Sequence, residues 1–200
     1  MSARHTWLTF TSDAPLPHRL DADPAAWQNA LTALHARWYD GVAPPAVAAV
    51  FVLQWLLQVP AHTAAYAAAT GPWRAADLGD LTFALGGALV PDRVRLGRLV
   101  DDPGSRTERL ERSEADYRSV AQPLAETYPA EVRLGRRVRQ SLVDDMWVAA
   151  VVDAETSVTH VARPVPERAS CCLIYALPGC RECAGCPRLT RSPAERPTGR

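Results

Sequence analysis

The stretch Ser170-Cys-Cys-Leu-Ile-Tyr-Ala-Leu-Pro-Gly-Cys-Arg-Glu-Cys-Ala-Gly-Cys-Pro187 contains all five cysteines of the chain, namely Cys171, Cys172, Cys180, Cys183 and Cys186. A short loop loses little conformational entropy when it closes around a metal, so thiols this close in sequence can form a soft-metal site. Their number is odd, and the N-terminal residues contain no apolar signal-like run. Both features favour a reducing compartment, where clustered cysteines bind metals or catalyse more often than they form disulfides.

Three chemistries are compatible with these spacings. Structural zinc normally uses two Cys-x2-Cys pairs, whereas one half of this site is the vicinal pair Cys171-Cys172, which is awkward for two bonds to one tetrahedral ion. A binuclear iron–sulfur cluster spreads four sulfur ligands over two irons and tolerates such spacing better. A disulfide or redox switch is the third alternative, and the reducing compartment disfavours it. The spacing therefore favours iron–sulfur and leaves zinc and disulfide chemistry open.

Cys180 makes the choice of ligands ambiguous. With Cys183 and Cys186 it forms Cys-x2-Cys-x2-Cys, which is part of a ferredoxin run, but the fourth ferredoxin cysteine is missing because position 190 is Thr. That alternative also leaves the vicinal pair without a role. Cys180 is therefore a spare thiol, an alternative ligand or a loop residue.

The remaining sequence limits the possible functions without naming one. Its 200 residues suffice for one well-buried core with a small appendage. Acidic and basic residues balance at 22 each, which gives no electrostatic reason to expect nucleic acid or an anionic membrane as partner. Residues 41–73 carry no Asp, Glu, Lys or Arg, but their dense apolar run, 47–59, is shorter than the roughly 20 residues of a membrane span. We therefore expect a core helix and no transmembrane span.

Apolar periodicity and proline positions predict four helices. The first begins with Asp23 as its N-cap, and Pro45 opens the second. Pro60 should end or kink the second helix, so that the Ala-rich residues 61–69 form a third. A four-residue apolar repeat predicts a long fourth helix over 131–153. Two of its acidic residues, Asp144 and Asp145, are predicted to be ordinary polar side chains.

Strand patterns predict a small antiparallel sheet beside these helices. Its strands are residues 81–85, 88–90 and 94–99, with a further short strand over 7–10. Residues 101–120 are charged and turn-rich, and they predict an exposed excursion.

The predicted fold class is therefore mainly helical α+β, with a C-terminal cysteine-rich loop. We divide the chain into a helical α+β domain over 1–160, a cysteine-rich segment over 161–187 and a disordered tail over 188–200.

Outside the cysteine segment, candidate functional residues have simpler structural explanations. A basic group formed by Arg133, Arg136, Arg137 and Arg139 could dock an anionic chelate or an acidic electron donor, but a solvated helix face is the simpler explanation. The glycines around the cysteines, Gly179 and Gly185, could donate backbone amides to cluster sulfurs, although turn geometry also explains them. Three tryptophans on the predicted helices are expected in the core: Trp27, Trp38 and Trp55.

The spacing Cys-Cys-x10-Cys-x2-Cys resembles the C-terminal signature of the FhuF-type ferric siderophore reductases. Upstream segments at 43–49, 80–83 and 91–97 resemble a helix start and the central sheet of the same family, so the resemblance extends over about residues 27–186.

The resemblance implies a [2Fe-2S] cluster as the cofactor. Its ligands would be four cysteines: Cys171, Cys172, Cys183 and Cys186. Cys180 departs from the family pattern, which leaves open a swap of ligands between Cys180 and Cys183.

The resemblance further implies a cytosolic enzyme, free or at the inner face of the membrane, that reduces a ferric siderophore by one electron and releases Fe(II). No catalytic residue beyond the cluster is implied. The sequence contains no nucleophile elbow, P-loop or dinucleotide fingerprint, so a separate donor of the ferredoxin or flavin-reductase type should supply the electron. The alternative is a non-enzymatic interaction module stabilised by structural zinc.

Overall fold

A long apolar helix forms the centre of the fold. In the computed structural model, which describes residues 8–12 and 14–190, this helix is α2, Pro45–Thr70, and most of its side chains are buried. It is long and apolar enough to cross a membrane, but 78% of its most apolar window is buried inside the fold. Three helices pack around it: α1 (Ala25–Trp38), α3 (Arg106–Thr127) and α4 (Arg136–Thr159). The prediction of a core helix here is confirmed.

Pro60 neither ends α2 nor separates a third helix, contrary to the prediction. The predicted helix over 61–69 is the C-terminal half of α2. A proline inside a helix removes one backbone hydrogen bond and costs about 3 kcal/mol. Nearly every side chain from Val47 to Ala69 is buried, however, and buried helices owe their stability to packing more than to propensity.

The prediction of an exposed excursion over 101–120 is wrong, because α3 occupies most of it. The helix begins with a capping box, in which Glu108 N–H donates to Ser105 Oγ (3.3 Å) and Ser105 N–H donates to the Glu108 carboxylate (2.8 Å). Only one narrow stripe is buried, and Tyr117 in that stripe stacks on Trp147 of α4 with ring centroids 5.5 Å apart. Charged residues surround the stripe and conceal its period of four.

The main sheet is mixed, not antiparallel as predicted. Its strand order is β1 (Thr9–Thr11), β5 (Pro91–Arg95), β4 (Thr82–Leu85) and β2 (His18–Arg19). The β1–β5 pair is parallel, and the other two pairs are antiparallel. A separate antiparallel pair consists of β3 (Trp73–Ala75) and β6 (Leu99–Asp101).

Three predicted strands differ in the structure. The strand predicted over 94–99 is divided between β5 and β6, which lie in different sheets. Residues 88–90 belong to the turn between β4 and β5, in which Gly86 N–H donates to the Val90 carbonyl (2.8 Å). The strand predicted over 7–10 is β1, and Trp7 lies outside the described residues.

Helix ends differ from the prediction by a few residues. Asp23 accepts a hydrogen bond from Ala25 N–H (3.0 Å), so it caps α1 from one position further out than predicted. Trp27 and Trp55 stack in the core, whereas Trp38 is 55% exposed. The fourth helix begins at Arg136, five residues later than predicted, and extends to Thr159.

The C-terminal segment after α4 has little regular structure of its own. It contains one 3-10 turn, Ile174–Ala176, and one short helix, α5 (Pro187–Thr190). The predicted tail over 188–200 begins inside α5, and residues 191–200 lie outside the described residues. The helical body with a small sheet and a C-terminal cysteine loop nevertheless confirms the predicted α+β class.

Candidate metal centre

Four of the five thiols form two crosswise pairs. Cys172 Sγ lies 3.8 Å from Cys183 Sγ, and the Cys186 thiol is close enough to Cys171 to help raise its pKa. Each pair thus combines one member of the vicinal pair with one member of the Cys-x2-Cys pair. All four are free thiols, and all are buried or half-buried. Among the residues that the structure describes, no three His, Cys, Asp or Glu side chains are grouped so that they could hold one metal ion.

Tight backbone turns position both halves of the site. Cys186 N–H donates to the Cys183 carbonyl (2.9 Å), which closes the Cys-x2-Cys turn, and α5 follows directly. On the other side, Leu173 adopts a left-handed φ of 62° and begins the 3-10 turn. Its amide donates a hydrogen bond to the Cys171 sulfur. A left-handed residue other than glycine costs on the order of 1–3 kcal/mol, and the packing of Leu173 against the core helps to offset it.

Burial favours the protonated form of two of these thiols, Cys171 and Cys183, when no metal is bound. The pKa of Cys183 is raised to about 11, first by burial and then by the neighbouring Cys172, against the opposing effect of the Arg168 guanidinium. Burial also raises the pKa of Cys171, with a smaller contribution from Cys186. Thiolates are the metal-binding form, so binding of a cationic centre here must release protons. Four sulfur donors and no hard oxygen donor suit a soft or borderline metal.

Cys180 lies apart from the two pairs. Its thiol is hydrogen-bonded to the hydroxyl of Tyr39, just after the end of α1, and this contact raises the pKa of Tyr39. Its backbone N–H donates to the Leu177 carbonyl (3.1 Å), and the preceding Gly179 has a left-handed φ of 74°. Cys180 therefore ties the loop to α1. The choice of the four cysteines that bind the cofactor remains a prediction. In the structure, the four predicted ligands lie in the two thiol pairs and Cys180 does not.

Asp145 anchors the cysteine segment to α4, and its prediction as an ordinary polar residue is wrong. Its side chain is 7% exposed and accepts hydrogen bonds from Ala169 N–H (2.9 Å), Ser170 N–H (2.8 Å) and the Ser170 hydroxyl. The same prediction holds for Asp144, which is 58% exposed and pairs with Arg118 at 2.7 Å.

Arg168 connects the same segment to α2. Its Nη2 donates to Gln54 Oε1 (2.9 Å) and to Ser170 Oγ (3.1 Å), and its Nε lies 3.7 Å from Asp145 Oδ2. Arg168 was not among the residues predicted from the sequence. Two signals could have done so: an arginine three residues before the vicinal pair, and a polar Gln54 within an otherwise apolar run.

Gly185 is required by a close approach of two chain segments. A Cβ at this position would lie 2.5 Å from the Pro166 carbonyl oxygen and 3.4 Å from Arg168 Cγ. The Gly185 carbonyl accepts a hydrogen bond from Arg168 N–H (3.0 Å). The residue thus lets the loop that carries Cys183 and Cys186 lie directly against the strand-like linker that precedes the vicinal pair.

The predicted basic group lines part of a groove of about 840 Å³ between α3 and α4. Arg139 is structural, because it donates to the carbonyls of Ala125 (2.7 Å) and Tyr128 (2.8 Å), among others. Arg133 and Arg136 also line the groove, and within the described part of the chain they form no hydrogen bond or ion pair. Arg137 is exposed and is not among the lining residues.

Comparison with known families identifies the cysteine segment. Residues 168–188 match the model of the FhuF 2Fe-2S C-terminal domain, from Arg168 to the second residue of α5. No curated protein and no solved structure matches the chain. The match confirms the resemblance at the cysteine motif, and the upstream resemblance stays a prediction. Residues 168–188 carry the signature of the FhuF 2Fe-2S C-terminal domain, and the cofactor of this protein is a [2Fe-2S] cluster.

Proposed function

We propose that the protein is a cytosolic ferric siderophore reductase, which reduces the chelated Fe(III) by one electron and so releases Fe(II). The FhuF-type segment supports an iron–sulfur protein of the siderophore-reductase kind. The single observation that carries the proposal is the crosswise pairing of four thiols inside that segment. When bound, the cluster supplies a one-electron redox centre.

The thiol geometry suits two metals better than one. Two thiolates on a tetrahedral metal with bonds of about 2.3 Å lie roughly 3.8 Å apart, which is the separation of the Cys172 and Cys183 sulfurs. We therefore assign Cys172 and Cys183 to one iron, and Cys171 and Cys186 to the other. This assignment places the two vicinal sulfurs on different irons and removes the difficulty of binding both to one ion.

The reaction requires a docking surface for the chelate and no nucleophile or general base. Ferrous iron binds hard oxygen donors far less tightly than ferric iron, so one electron loosens the chelate without hydrolysis of the ligand. We propose the groove between α3 and α4 as the docking surface for an anionic chelate. Arg133 and Arg136 line this groove, and their side chains form no ion pair with any residue that the structure describes. Its wall also contains Asp144, the neighbour of the residue that anchors the cysteine segment. Such a cationic groove raises the local concentration of anionic ligands.

The test begins with anaerobically purified full-length protein. We expect about two irons and two acid-labile sulfides per chain, together with visible charge-transfer absorption. Protein reduced with dithionite and freed of excess reductant is then mixed with ferric hydroxamate or ferric catecholate chelates in the presence of a ferrous-specific chelator. Reoxidation of one cluster should release one Fe(II). Colourless protein with stoichiometric zinc, or a cluster that no ferric chelate reoxidises, would contradict the proposal.

Serine variants test the ligand assignment. Cys171→Ser, Cys172→Ser and Cys186→Ser should each abolish or destabilise the cluster, whereas Cys180→Ser should leave its spectrum nearly intact. A Cys180→Ser protein that lacks the cluster, combined with a Cys183→Ser protein that retains it, would show that the assignment of Cys183 is wrong.

A further inference from the structure

We propose that Arg168 is a positioning residue that sets the reduction potential of the cluster by holding a positive charge, largely shielded from solvent, between the two halves of the cysteine site. Its Nη2 donates to Ser170 Oγ (3.1 Å), next to the vicinal cysteines, and its Cγ lies 3.4 Å from where a Cβ of Gly185 would be, in the loop that carries Cys183 and Cys186. The inference rests on the cluster ligands proposed above and does not depend on the siderophore as substrate.

Arg168 is held by two hydrogen bonds of its guanidinium and one of its backbone. Its side chain is 15% exposed, and its Nη2 binds the side chains of Gln54 and Ser170 at 2.9 Å and 3.1 Å. Its backbone N–H binds the Gly185 carbonyl at 3.0 Å. Since Gly185 lies between Cys183 and Cys186 in sequence, this bond fixes Arg168 against the loop that carries both.

One donor of this arginine has no acceptor among the described residues. Its Nε is buried and makes no hydrogen bond, and Asp145 Oδ2 at 3.7 Å is too distant to accept one. A buried donor without a partner is costly, so this atom is available to an acceptor that a bound group brings. The acceptors that a loaded site adds are the sulfur atoms, and hydrogen bonds to sulfur are among the factors that set the potential of an iron–sulfur centre.

The sign of the effect follows from charge balance. Reduction by one electron adds one negative charge to the site, and no bond or proton needs to move. A buried cation nearby therefore favours the reduced state, and a buried anion opposes it, since both act through a medium of low dielectric constant. Arg168 and Asp145 should consequently shift the potential in opposite directions.

A purely structural role makes a different prediction. If Arg168 and Asp145 only clamp the segment, loss of either one loosens the loop and lets water reach the cluster. Both variants should then shift the reduction potential in the same direction, because greater solvent exposure of the cluster has the same effect on the potential in each variant.

The experiment is a redox titration of the full-length protein with its cluster bound, followed by visible absorption and by electron paramagnetic resonance. We expect Arg168→Gln to lower the equilibrium constant for reduction at least tenfold, which is about 59 mV for a one-electron couple. Asp145→Asn should raise that constant. Arg181→Gln is the matched control, since it removes the same charge from an exposed position of the same segment, and it should change the constant less than threefold.

Arg168→Lys keeps the charge and provides a second test if Arg168→Gln does not retain its cluster. It should keep the equilibrium constant within about threefold of the wild-type value. A tenfold decrease in Arg168→Lys, an unchanged constant in fully loaded Arg168→Gln, or shifts of the same sign in Arg168→Gln and Asp145→Asn would each overturn the inference. Absence of a cluster from the wild-type protein would instead overturn the proposed function.

Discussion

Replacement of Asp145 by alanine should detach the cysteine segment from α4 without unfolding the helices. The carboxylate accepts two backbone N–H groups and the hydroxyl of Ser170, and it lies within ion-pair distance of Arg168. All of these groups lose their acceptor together in Asp145→Ala. The segment has little regular structure of its own, so the loss should appear as local opening.

The expected cost is about 3–5 kcal/mol. Each hydrogen bond to a charged acceptor contributes about 1.5–3 kcal/mol, but three bonds to one carboxylate are not additive. Removal of one partner from a buried ion pair costs about 3–5 kcal/mol, which already includes the unpaired charge left on Arg168. Since about 1.4 kcal/mol corresponds to a factor of ten, exchange of the Ala169 and Ser170 amides should accelerate roughly 10²- to 10³-fold or more.

Hydrogen exchange followed by mass spectrometry measures this opening in the metal-free, reduced protein. A peptide that spans residues 165–172 should exchange faster, whereas the far-UV circular dichroism of the helices should keep its wild-type amplitude. Asp144→Ala is the matched control, because Asp144 is the adjacent residue of α4 and its ion pair with Arg118 is largely exposed. That pair should contribute about 0–1 kcal/mol. An acceleration below tenfold in Asp145→Ala, or equal acceleration in both variants, would refute the anchoring role.

Three further predictions concern the loop, its thiols and the groove. Gly185→Ala should shorten the lifetime of the cluster in the presence of an iron chelator, because its Cβ would collide with a backbone carbonyl oxygen at 2.5 Å. Gly135→Ala is the control: its Cβ meets no atom within 4 Å, so the lifetime of the cluster should not change. The metal-free protein should lose stability as the pH rises from about 9 to about 11, since burial favours the neutral Cys183 thiol in the folded state. The urea midpoint of Cys183→Ser should therefore depend less on pH than that of the wild type. An equal pH dependence of the two midpoints would contradict the role of the Cys183 thiol. The double variant Arg133→Gln/Arg136→Gln should raise KM for an anionic ferric chelate several-fold, without a change in kcat or in KM for a neutral ferric chelate. An equal increase in KM for both chelates would argue against the groove as the docking surface for anionic chelates.

The sequence predicted the features that depend on local spacing. The long apolar run became the central helix α2, the proline at position 45 marked its first residue, and the cysteine spacing identified the cofactor. These features could be predicted because each depends on residues that are close together in the sequence. The prediction that Pro60 ends or kinks the helix was wrong because it considered only local sequence. The cost of a proline inside the helix is offset by burial on all sides, which only the packed structure reveals.

Two features depended on contacts between distant residues and could not be predicted. The buried stripe of α3 consists of Ser113, Tyr117, Ala121 and Ala125, of which only Tyr117 is large, so its period is visible only once Trp147 is known to face it. Asp144 and Asp145 are identical in type and adjacent in sequence. They point about 100° apart on a helix, so one reaches solvent and the other reaches the cysteine segment.

The same contrast explains why the recognisable motif is short while the site needs the whole fold. The vicinal pair, the ten-residue spacer and the Cys-x2-Cys turn specify the donor atoms, but a loop with so few hydrogen bonds of its own cannot hold them in place. The missing order comes from one polar side chain each of α2, of α4 and of the residue that follows α1: Gln54 on Arg168, Asp145 on Ser170, and Tyr39 beside Cys180. Each contact joins residues more than 20 positions apart, so none belongs to a local motif. The helical body therefore acts as the rigid support of the metal centre, and its polar anchors are the positions where changes outside the cysteine motif should alter the cluster.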